Sequence, residues 1–172
     1  MVDIFPVPFI LIYAALYGIC MKLADLFDEH GMHWFKFDAL LFGFLWGVFG
    51  SLLVLSGDNV ANVVLAMNLA YMIRMRLDYR NHAIAAVMII ITFILKSSFN
   101  MVLFLIFFTV FLIFGSLRDY FCDIRKKNSL LFKINELALY YFIPTAVYGL
   151  FTKDWMIFFV FSIYRLFYNL VK

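Results

Sequence analysis

Two short acidic segments share one residue pattern, and they are the chain's clearest candidates for chemistry. Residues 23–29 (Leu-Ala-Asp-Leu-Phe-Asp-Glu) and residues 117–123 (Leu-Arg-Asp-Tyr-Phe-Cys-Asp) both read Leu-x-Asp-x-Phe-x-acid, and both end a long apolar run. On a helix, residues four apart lie on one face about one turn apart, so each segment presents a carboxylate pair. The pairs are Asp25 with Glu29 and Asp119 with Asp123. Two facing pairs could hold a divalent cation; alternatively, the acids only mark where membrane helices end.

The composition of the chain identifies its class. Of the 172 residues, 66% are hydrophobic and 15% are charged, and the mean hydropathy is +0.98. Soluble domains carry roughly 25% charged residues. The composition therefore predicts an integral membrane protein, with residues 1–172 forming a single transmembrane domain. Because the aromatic residues suit lipid contact and core packing, we expect the lipid bilayer and no nucleic acid among its partners.

Seven continuous apolar runs predict an all-α, polytopic bundle of about seven transmembrane helices. Strands are excluded because the runs do not alternate between apolar and polar residues. A helix needs about 20 residues to cross the hydrocarbon core, so the fourth and sixth runs are short. The runs cover residues 7–25, 39–56, 60–77, 82–95, 99–117, 137–151 and 155–171.

The basic residues predict how this bundle lies in the membrane. If all seven runs span, twelve of the fourteen Lys and Arg residues fall on one side, and the other two are Lys96 and Lys153. Basic residues favour the cytoplasmic side. We therefore expect a multi-pass protein of the cell membrane with its N-terminus outside and its C-terminus in the cytoplasm.

The repeated acidic pattern also predicts an internal duplication. Repeat A covers about residues 7–77, repeat B covers about residues 99–171, and residues 82–95 form a connector helix. Because four helices separate the two acidic segments, the repeats have the same orientation. Parallel repeats place a shared site at their interface.

Basic and polar side chains accompany the acids on the predicted cytoplasmic side. Lys22, Arg74 and Arg118 are candidate phosphate contacts, because guanidinium and ammonium groups bind phosphate oxygens. Acids alone would suggest cation transport, whereas acids with bases suggest a phosphate or pyrophosphate bridged by Mg²⁺. The alternative is that both signs of charge only solvate loops beside lipid headgroups.

Polar residues within the apolar runs are further candidates, since such residues are costly in a membrane. Asn68, Tyr71 and Arg165 are expected to be polar groups of a cavity, and Arg165 to pair with an acid or face water. Residues 77–82 join the third and fourth runs and are expected to close one wall of that cleft.

This arrangement resembles the UbiA superfamily of intramembrane prenyltransferases, as a short, seven-span relative. Residues 119–123 (Asp-Tyr-Phe-Cys-Asp) are similar to that family's second acidic motif, and Asp25 and Glu29 match the acids of its first. Met21 stands where the family has Asn, and Tyr71 with Arg74 loosely resembles a basic element of the intervening helix.

The resemblance implies a fold, a ligand and a reaction. The four acids Asp25, Glu29, Asp119 and Asp123 would be the catalytic and Mg²⁺-binding residues, and a polyprenyl pyrophosphate would bind at the cytoplasmic face. Transfer of its allylic prenyl group to an unidentified acceptor would release pyrophosphate. The alternative reading is a non-enzymatic transporter, channel or small subunit of a membrane complex.

Overall fold

The chain is an all-α bundle. The computed structural model describes residues 5–28, 30–123 and 130–171. For Asp123, Glu136 and Leu137, it describes only the backbone. Within these ranges it contains eight α-helices, one π-helical turn and no strand. The elements are α1 (Val7–Asp28), α2 (Asp38–Leu55), α3 (Asp58–Ile73), α4 (Arg80–Lys96), α5 (Met101–Asp123), α6 (Leu130–Ile134), the π turn (Asn135–Leu139), α7 (Phe142–Thr152) and α8 (Met156–Leu170). The all-α helical bundle of the predicted fold class is confirmed. Six of the seven apolar runs each correspond to one helix, and the sixth run is divided between the π turn and α7.

Three helices in the described part of the chain are long and apolar enough to cross a membrane. They are α1, α2 and residues Met101–Cys122 of α5. The other helices are shorter than the roughly 20 residues that a perpendicular span needs. Large apolar side chains cover the outside of the bundle, among them Ile94, Val102 and Phe151. Such a surface suits contact with lipid, while seven spans remain a prediction.

Glycines on one face of α2 bring α2 close to α4. Gly43 and Gly47 are four residues apart, the spacing that lets membrane helices approach each other closely. A Cβ atom at Gly43 would lie 2.5 Å from the Cβ atom of Asn81, and one at Gly47 would lie 2.7 Å from the sulfur of Met88. The first turn of α4 is therefore held against α2, and α2 also packs against α1.

The first helix of each half of the chain packs against a helix of the other half. The first helix of the first half, α1, packs against α8, while the first helix of the second half, α5, packs against α3. At the other end of the bundle, the side-chain amide of Asn59 donates to the Asp154 carboxylate at 2.8 Å and joins the start of α3 to the start of α8. The ends of α1, α3, α5 and α8 are thereby brought to one end of the bundle.

The sixth apolar run is broken rather than continuous, and Pro144 supplies the reason. Proline lacks an N–H group, and its ring clashes with the carbonyl group four residues earlier, here that of Tyr140. The helical segment that begins with α6 ends before Pro144 in the π turn. In this wider turn, the Tyr140 N–H donates to the Asn135 carbonyl at 3.0 Å. As a result, Tyr140 and Tyr141 both point into the core.

The contact between α2 and α4 generates a test of the packing. Gly43→Ala should lower the free energy of unfolding by about 1–2 kcal/mol, because the added methyl group meets the backbone of Asn81 and forces the helices apart. Thermal unfolding in detergent micelles measures the change. Phe44→Ala, at a half-exposed position of the same helix, is the control and should change stability by less than about 0.5 kcal/mol. Equal effects of the two substitutions would refute the close packing.

Candidate functional site

A polar cavity of about 330 Å³ lies where the ends of α1, α3 and α5 meet the start of α4 and the second half of α8. Its charged lining consists of four arginines and two aspartates. They are Asp25, Arg74, Arg76, Arg118, Asp119 and Arg165. Because guanidinium groups remain protonated in proteins, the charged lining has an excess of positive charge. This electrostatic balance favours an anionic ligand.

Asp119 binds two arginines at once. Arg74 donates from Nε to Asp119 Oδ2 at 2.8 Å, and its Nη2 lies 2.8 Å from the same oxygen. Nη2 of Arg76 lies 3.0 Å from Asp119 Oδ1. The side chain of Arg74 is only 3% exposed, whereas that of Arg76 is 42% exposed. Asp119 itself is 16% exposed. The pair with Arg74 is therefore largely buried between α3 and α5, and the pair with Arg76 lies at the cavity rim.

The end of α3 explains how two nearby arginines reach one carboxylate. Met75 has a left-handed backbone conformation, with φ of 55°. Its N–H donates to the carbonyl of Met72 at 3.0 Å, and the N–H of Arg76 donates to that of Tyr71 at 3.0 Å, which is a Schellman helix end. This conformation costs an L-residue other than glycine about 1–2 kcal/mol. It turns the chain so that Arg74 and Arg76 flank Asp119.

Arg74 also contacts α5 and the segment after the π turn. A Cβ atom at Gly115 would meet the Arg74 guanidinium, so the absence of a side chain there makes room for the arginine. Nη1 of Arg74 donates to the Tyr140 hydroxyl at 2.8 Å. The guanidinium lies 5.5 Å from the ring centre of Tyr71 and 5.8 Å from that of Tyr140, within cation–π range. Arg74 thus connects three separate segments.

The second carboxylate, Asp25, has different partners. Tyr168 donates its hydroxyl to Asp25 Oδ2 at 2.7 Å, and His82 Nε2 lies 3.1 Å from Asp25 Oδ1. His82 Nδ1 lies 3.2 Å from the carbonyl oxygen of Arg76. Asn81 donates its side-chain amide to the Ala24 carbonyl at 3.1 Å and holds the start of α4 against α1. Leu77 and His82 line the cavity, as predicted for the 77–82 segment.

Tyrosines surround Arg165, the arginine within α8. Its guanidinium lies 5.6 Å from the ring centre of Tyr141 and 5.4 Å from that of Tyr168. The hydroxyl groups of Tyr141 and Tyr71 lie 3.0 Å apart within hydrogen-bonding distance. The predicted cost of placing an arginine in an apolar helix is thus offset by the cavity and by aromatic faces.

The structure brings six of the ten sequence-predicted residues to the cavity. They are Asp25, Tyr71, Arg74, Arg118, Asp119 and Arg165. Lys22 does not line it, and its ammonium group lies 5.2 Å from the ring centre of Tyr168. Asn68 is fully buried within α3, where its amide donates to the Val64 carbonyl at 3.4 Å. Glu29 lies outside the described residues, and Asp123 is described by its backbone only.

Several cavity residues were not among the predicted site residues. These include Tyr141 and Tyr168, together with Trp46 from the middle of α2. Two sequence features could have indicated that tyrosines line the cavity. One is the Tyr-Tyr pair that precedes Pro144, and the other is the spacing that places Tyr164 and Tyr168 on the same face of a helix.

A resident metal centre is not formed by the residues that the structure describes. Among them, no three Asp, Glu, His or Cys side chains come together in a metal-binding group. Each carboxylate oxygen of Asp25 and Asp119 already faces a nitrogen or hydroxyl group of the protein. Two carboxylates do suit a Mg²⁺ ion that arrives with a phosphate ligand, since Mg²⁺ takes one or two carboxylates and completes its shell with phosphate and water.

Comparison with known proteins finds no significant match to this chain. No protein-family model matches the chain, and no curated protein or solved structure is significantly similar to it. Fold and site therefore define the class: an α-helical bundle with an apolar exterior and an arginine-lined cavity at one end. The resemblance to the UbiA superfamily stays a prediction.

The two arginines on Asp119 provide a matched pair of substitutions. Arg74→Met should lower the free energy of unfolding by about 3 kcal/mol, because it removes the buried partner of a carboxylate. Arg76→Met should cost about 1 kcal/mol or less, because that pair is solvent-exposed. Denaturant titration in detergent measures both changes. A larger effect for Arg76 would contradict the arrangement.

Proposed function

We propose that this chain is a polytopic membrane protein that binds a polyprenyl pyrophosphate, with its charged head in the arginine-lined cavity. The observation that carries the proposal is the coexistence of four arginines and two aspartates in one cavity of a bundle with an apolar exterior. Its volume, about 330 Å³, falls in the range of about 300–1,000 Å³ for small-molecule sites. An amphiphile with an anionic head matches both the cavity and the exterior.

The proposed topology has seven spans, with the cavity at the cytoplasmic face and the start of α1 outside. The bias of Lys and Arg toward that end of the bundle supports it. The exchanged contacts, α1 with α8 and α5 with α3, support the proposed parallel repeat of residues 7–77 and 99–171. Two side-chain contacts follow the same helix pairs and also support the repeat. Asp25 of α1 contacts Tyr168 of α8, and Asp119 of α5 contacts Arg74 at the end of α3.

In the proposed reaction, an allylic carbon–oxygen bond breaks and pyrophosphate leaves while the prenyl group joins an acceptor. Arg74 and Arg118 hold the phosphate oxygens, and Lys22 contributes positive charge nearby. Arg74 is already oriented by Asp119 and Tyr140, so little reorganisation is needed. Tyr71 and Tyr141 border the cavity, and their ring faces favour positive charge developing on the allylic carbon.

Mg²⁺ belongs to this proposal as a companion of the pyrophosphate. Asp25 and Asp119, together with Glu29 and Asp123, are the residues that would hold it. When bound, it neutralises the charge that accumulates on the departing pyrophosphate.

A transporter is the second candidate, and one observation favours it. A further cavity of about 430 Å³ lies at the opposite end of the bundle, lined by Asp58 and Asp154. Cavities at both ends of a small bundle are compatible with the movement of an ion or solute between them. A channel or a small subunit of a membrane complex belongs to the same non-enzymatic class.

Binding of geranylgeranyl pyrophosphate to the purified protein tests the proposal. Arg118→Gln should weaken this binding by about tenfold or more, since a hydrogen bond to a charged group contributes about 1.5–3 kcal/mol. Lys133→Gln, an exposed residue of α6 outside the cavity, is the charge-matched control and should leave binding unchanged. Equal loss in both variants would indicate non-specific attraction and refute the assignment.

The same assay tests the metal and the reaction class. Asp119→Asn should abolish the Mg²⁺-dependent part of binding, and a thermal unfolding curve of that variant separates this effect from misfolding. Mass spectrometry of copurified lipids with and without Mg²⁺ identifies a bound prenyl phosphate or pyrophosphate. Ion flux in liposomes without any prenyl lipid would favour the transporter, and release of inorganic phosphate rather than pyrophosphate would indicate a phosphatase.

A further inference from the structure

The connection between α1 and α2 presents aromatic side chains to the outside. This segment, residues 32–37, is here named the aromatic loop. Trp34 is 61% exposed and Phe37 is 65% exposed, with Met32 and Phe35 also exposed beside them. Lys36 is the one Lys, Arg, Asp or Glu residue among these six, and Nδ1 of His33 lies 3.4 Å from Asp38 Oδ1. Large apolar groups in a connecting loop are unusual, because loops are commonly polar.

The conformation of the loop, fixed by hydrogen bonds and ring packing, keeps these side chains exposed. Asp38, at the start of α2, is 1% exposed, and its carboxylate accepts hydrogen bonds from the backbone N–H groups of Trp34 at 2.7 Å and Ala39 at 2.8 Å. Phe37 holds a left-handed conformation with φ of 70°. The indole ring of Trp34 packs edge-on against Phe27, with 5.0 Å between ring centres. The loop thus has a defined conformation that directs aromatic groups outward.

The position of the loop indicates what it contacts. It joins α1 and α2, two of the helices that are long and apolar enough to cross a membrane. A loop between two adjacent spans emerges at a membrane face. Trp and other amphipathic aromatic side chains are enriched there, with the ring in the acyl boundary and polar atoms among the headgroups. Lys36 suits the same region, because its stem can lie along apolar surface while its ammonium group reaches the headgroups.

The loop also lies close to the cavity along the helix axis. Asp25 lines the cavity, and α1 ends three residues later at Asp28. At 1.5 Å per residue, these positions are only about 4.5 Å apart along the axis. The level at which the aromatic loop sits is therefore close to the level of the cavity.

We propose that the aromatic loop inserts into the headgroup region of the lipid bilayer and thereby holds the cavity at that depth. The occupant of this surface is the lipid interface itself, not a protein partner. The proposal rests on membrane insertion of α1 and α2, and it is independent of which ligand the cavity binds. A cavity at headgroup level is accessible to the polar head of a lipid without extracting its chain from the membrane.

Depth-dependent quenching of Trp34 fluorescence tests this inference. Protein carrying Trp155→Phe is reconstituted into phosphatidylcholine vesicles whose lipids carry bromine either near the headgroups or near the chain ends. A second protein that also carries Trp34→Phe fluoresces only from Trp46, and its signal is subtracted to give the signal of Trp34. The buried Trp46 therefore need not be removed. The Trp34 contribution should be quenched roughly twofold more strongly by the shallow bromines, because interfacial aromatic groups reach ~5–10 Å into the headgroup and acyl boundary.

A deep reference probe separates failure of this inference from failure of membrane insertion. Ile113, within the apolar span of α5, is 57% exposed, and Ile113→Trp in the background lacking Trp34 and Trp155 should be quenched mostly by the deep bromines. If neither set of lipids quenches this probe, membrane insertion is refuted and the inference falls with it. If the deep probe responds and Trp34 does not, the loop lies outside the bilayer and the inference alone is overturned.

A second variant tests the role of the neighbouring aromatic side chains. Phe35→Ser with Phe37→Asn removes two exposed rings, and Asn tolerates the left-handed conformation at position 37. Quenching of Trp34 by shallow bromines should decrease, and its emission should shift to longer wavelength as it meets more water. Unchanged quenching would overturn the anchoring role. Protection of Trp34 from aqueous iodide without quenching by either lipid would show that a protein surface covers the loop and would also overturn the proposal.

Discussion

The ion pair between the buried guanidinium of Arg74 and the partly exposed Asp119 is the interaction on which the cavity depends. A carboxylate that is mostly removed from water is destabilising unless a cation accompanies it. Several otherwise unrelated local features serve to deliver that cation. Met75 adopts a left-handed turn that ends α3 beside α5, Gly115 leaves room for the guanidinium, and Tyr140 supplies a further acceptor. Changes at any of these positions therefore act on the same ion pair.

The two carboxylates of the cavity have different electrostatic surroundings. Asp119 contacts two arginines, which keep their charge at every physiological pH. Asp25 is held by hydrogen-bonding contacts with His82 and Tyr168. One carboxylate of the cavity is therefore paired with fixed positive charge, and the other is held mainly by hydrogen bonds. Asp25 lies on α1, which packs against α8, and Asp119 lies on α5, which packs against α3, so the two aspartates meet different partners.

The bundle has a buried apolar core, a polar cavity at one end and large apolar side chains on its exterior. Small residues let helices approach each other closely, which matters most where lipid surrounds them and supplies no hydrophobic driving force. Gly43 and Gly47 fulfil this role between α2 and α4. This contact fixes the start of α4, and with it Asn81 and His82, against the end of α1. The packing of α2 against α4 thus determines one wall of the cavity.

The amino-acid sequence by itself determined the helical fold, the long apolar helices and the convergence of Asp25, Arg74 and Asp119, because these follow from local hydrophobic runs and from charges at helix ends. It did not predict the end of α3 at Ile73, since no glycine marks the left-handed turn at Met75. The inward turn of Tyr140 and Tyr141 was missed as well, although Pro144 was a signal for the break. Only the tertiary structure decided which side chains share the cavity and which partner each carboxylate binds. Those contacts join residues far apart in the chain, such as Asp25 with Tyr168, and depend on helix packing that no local pattern encodes.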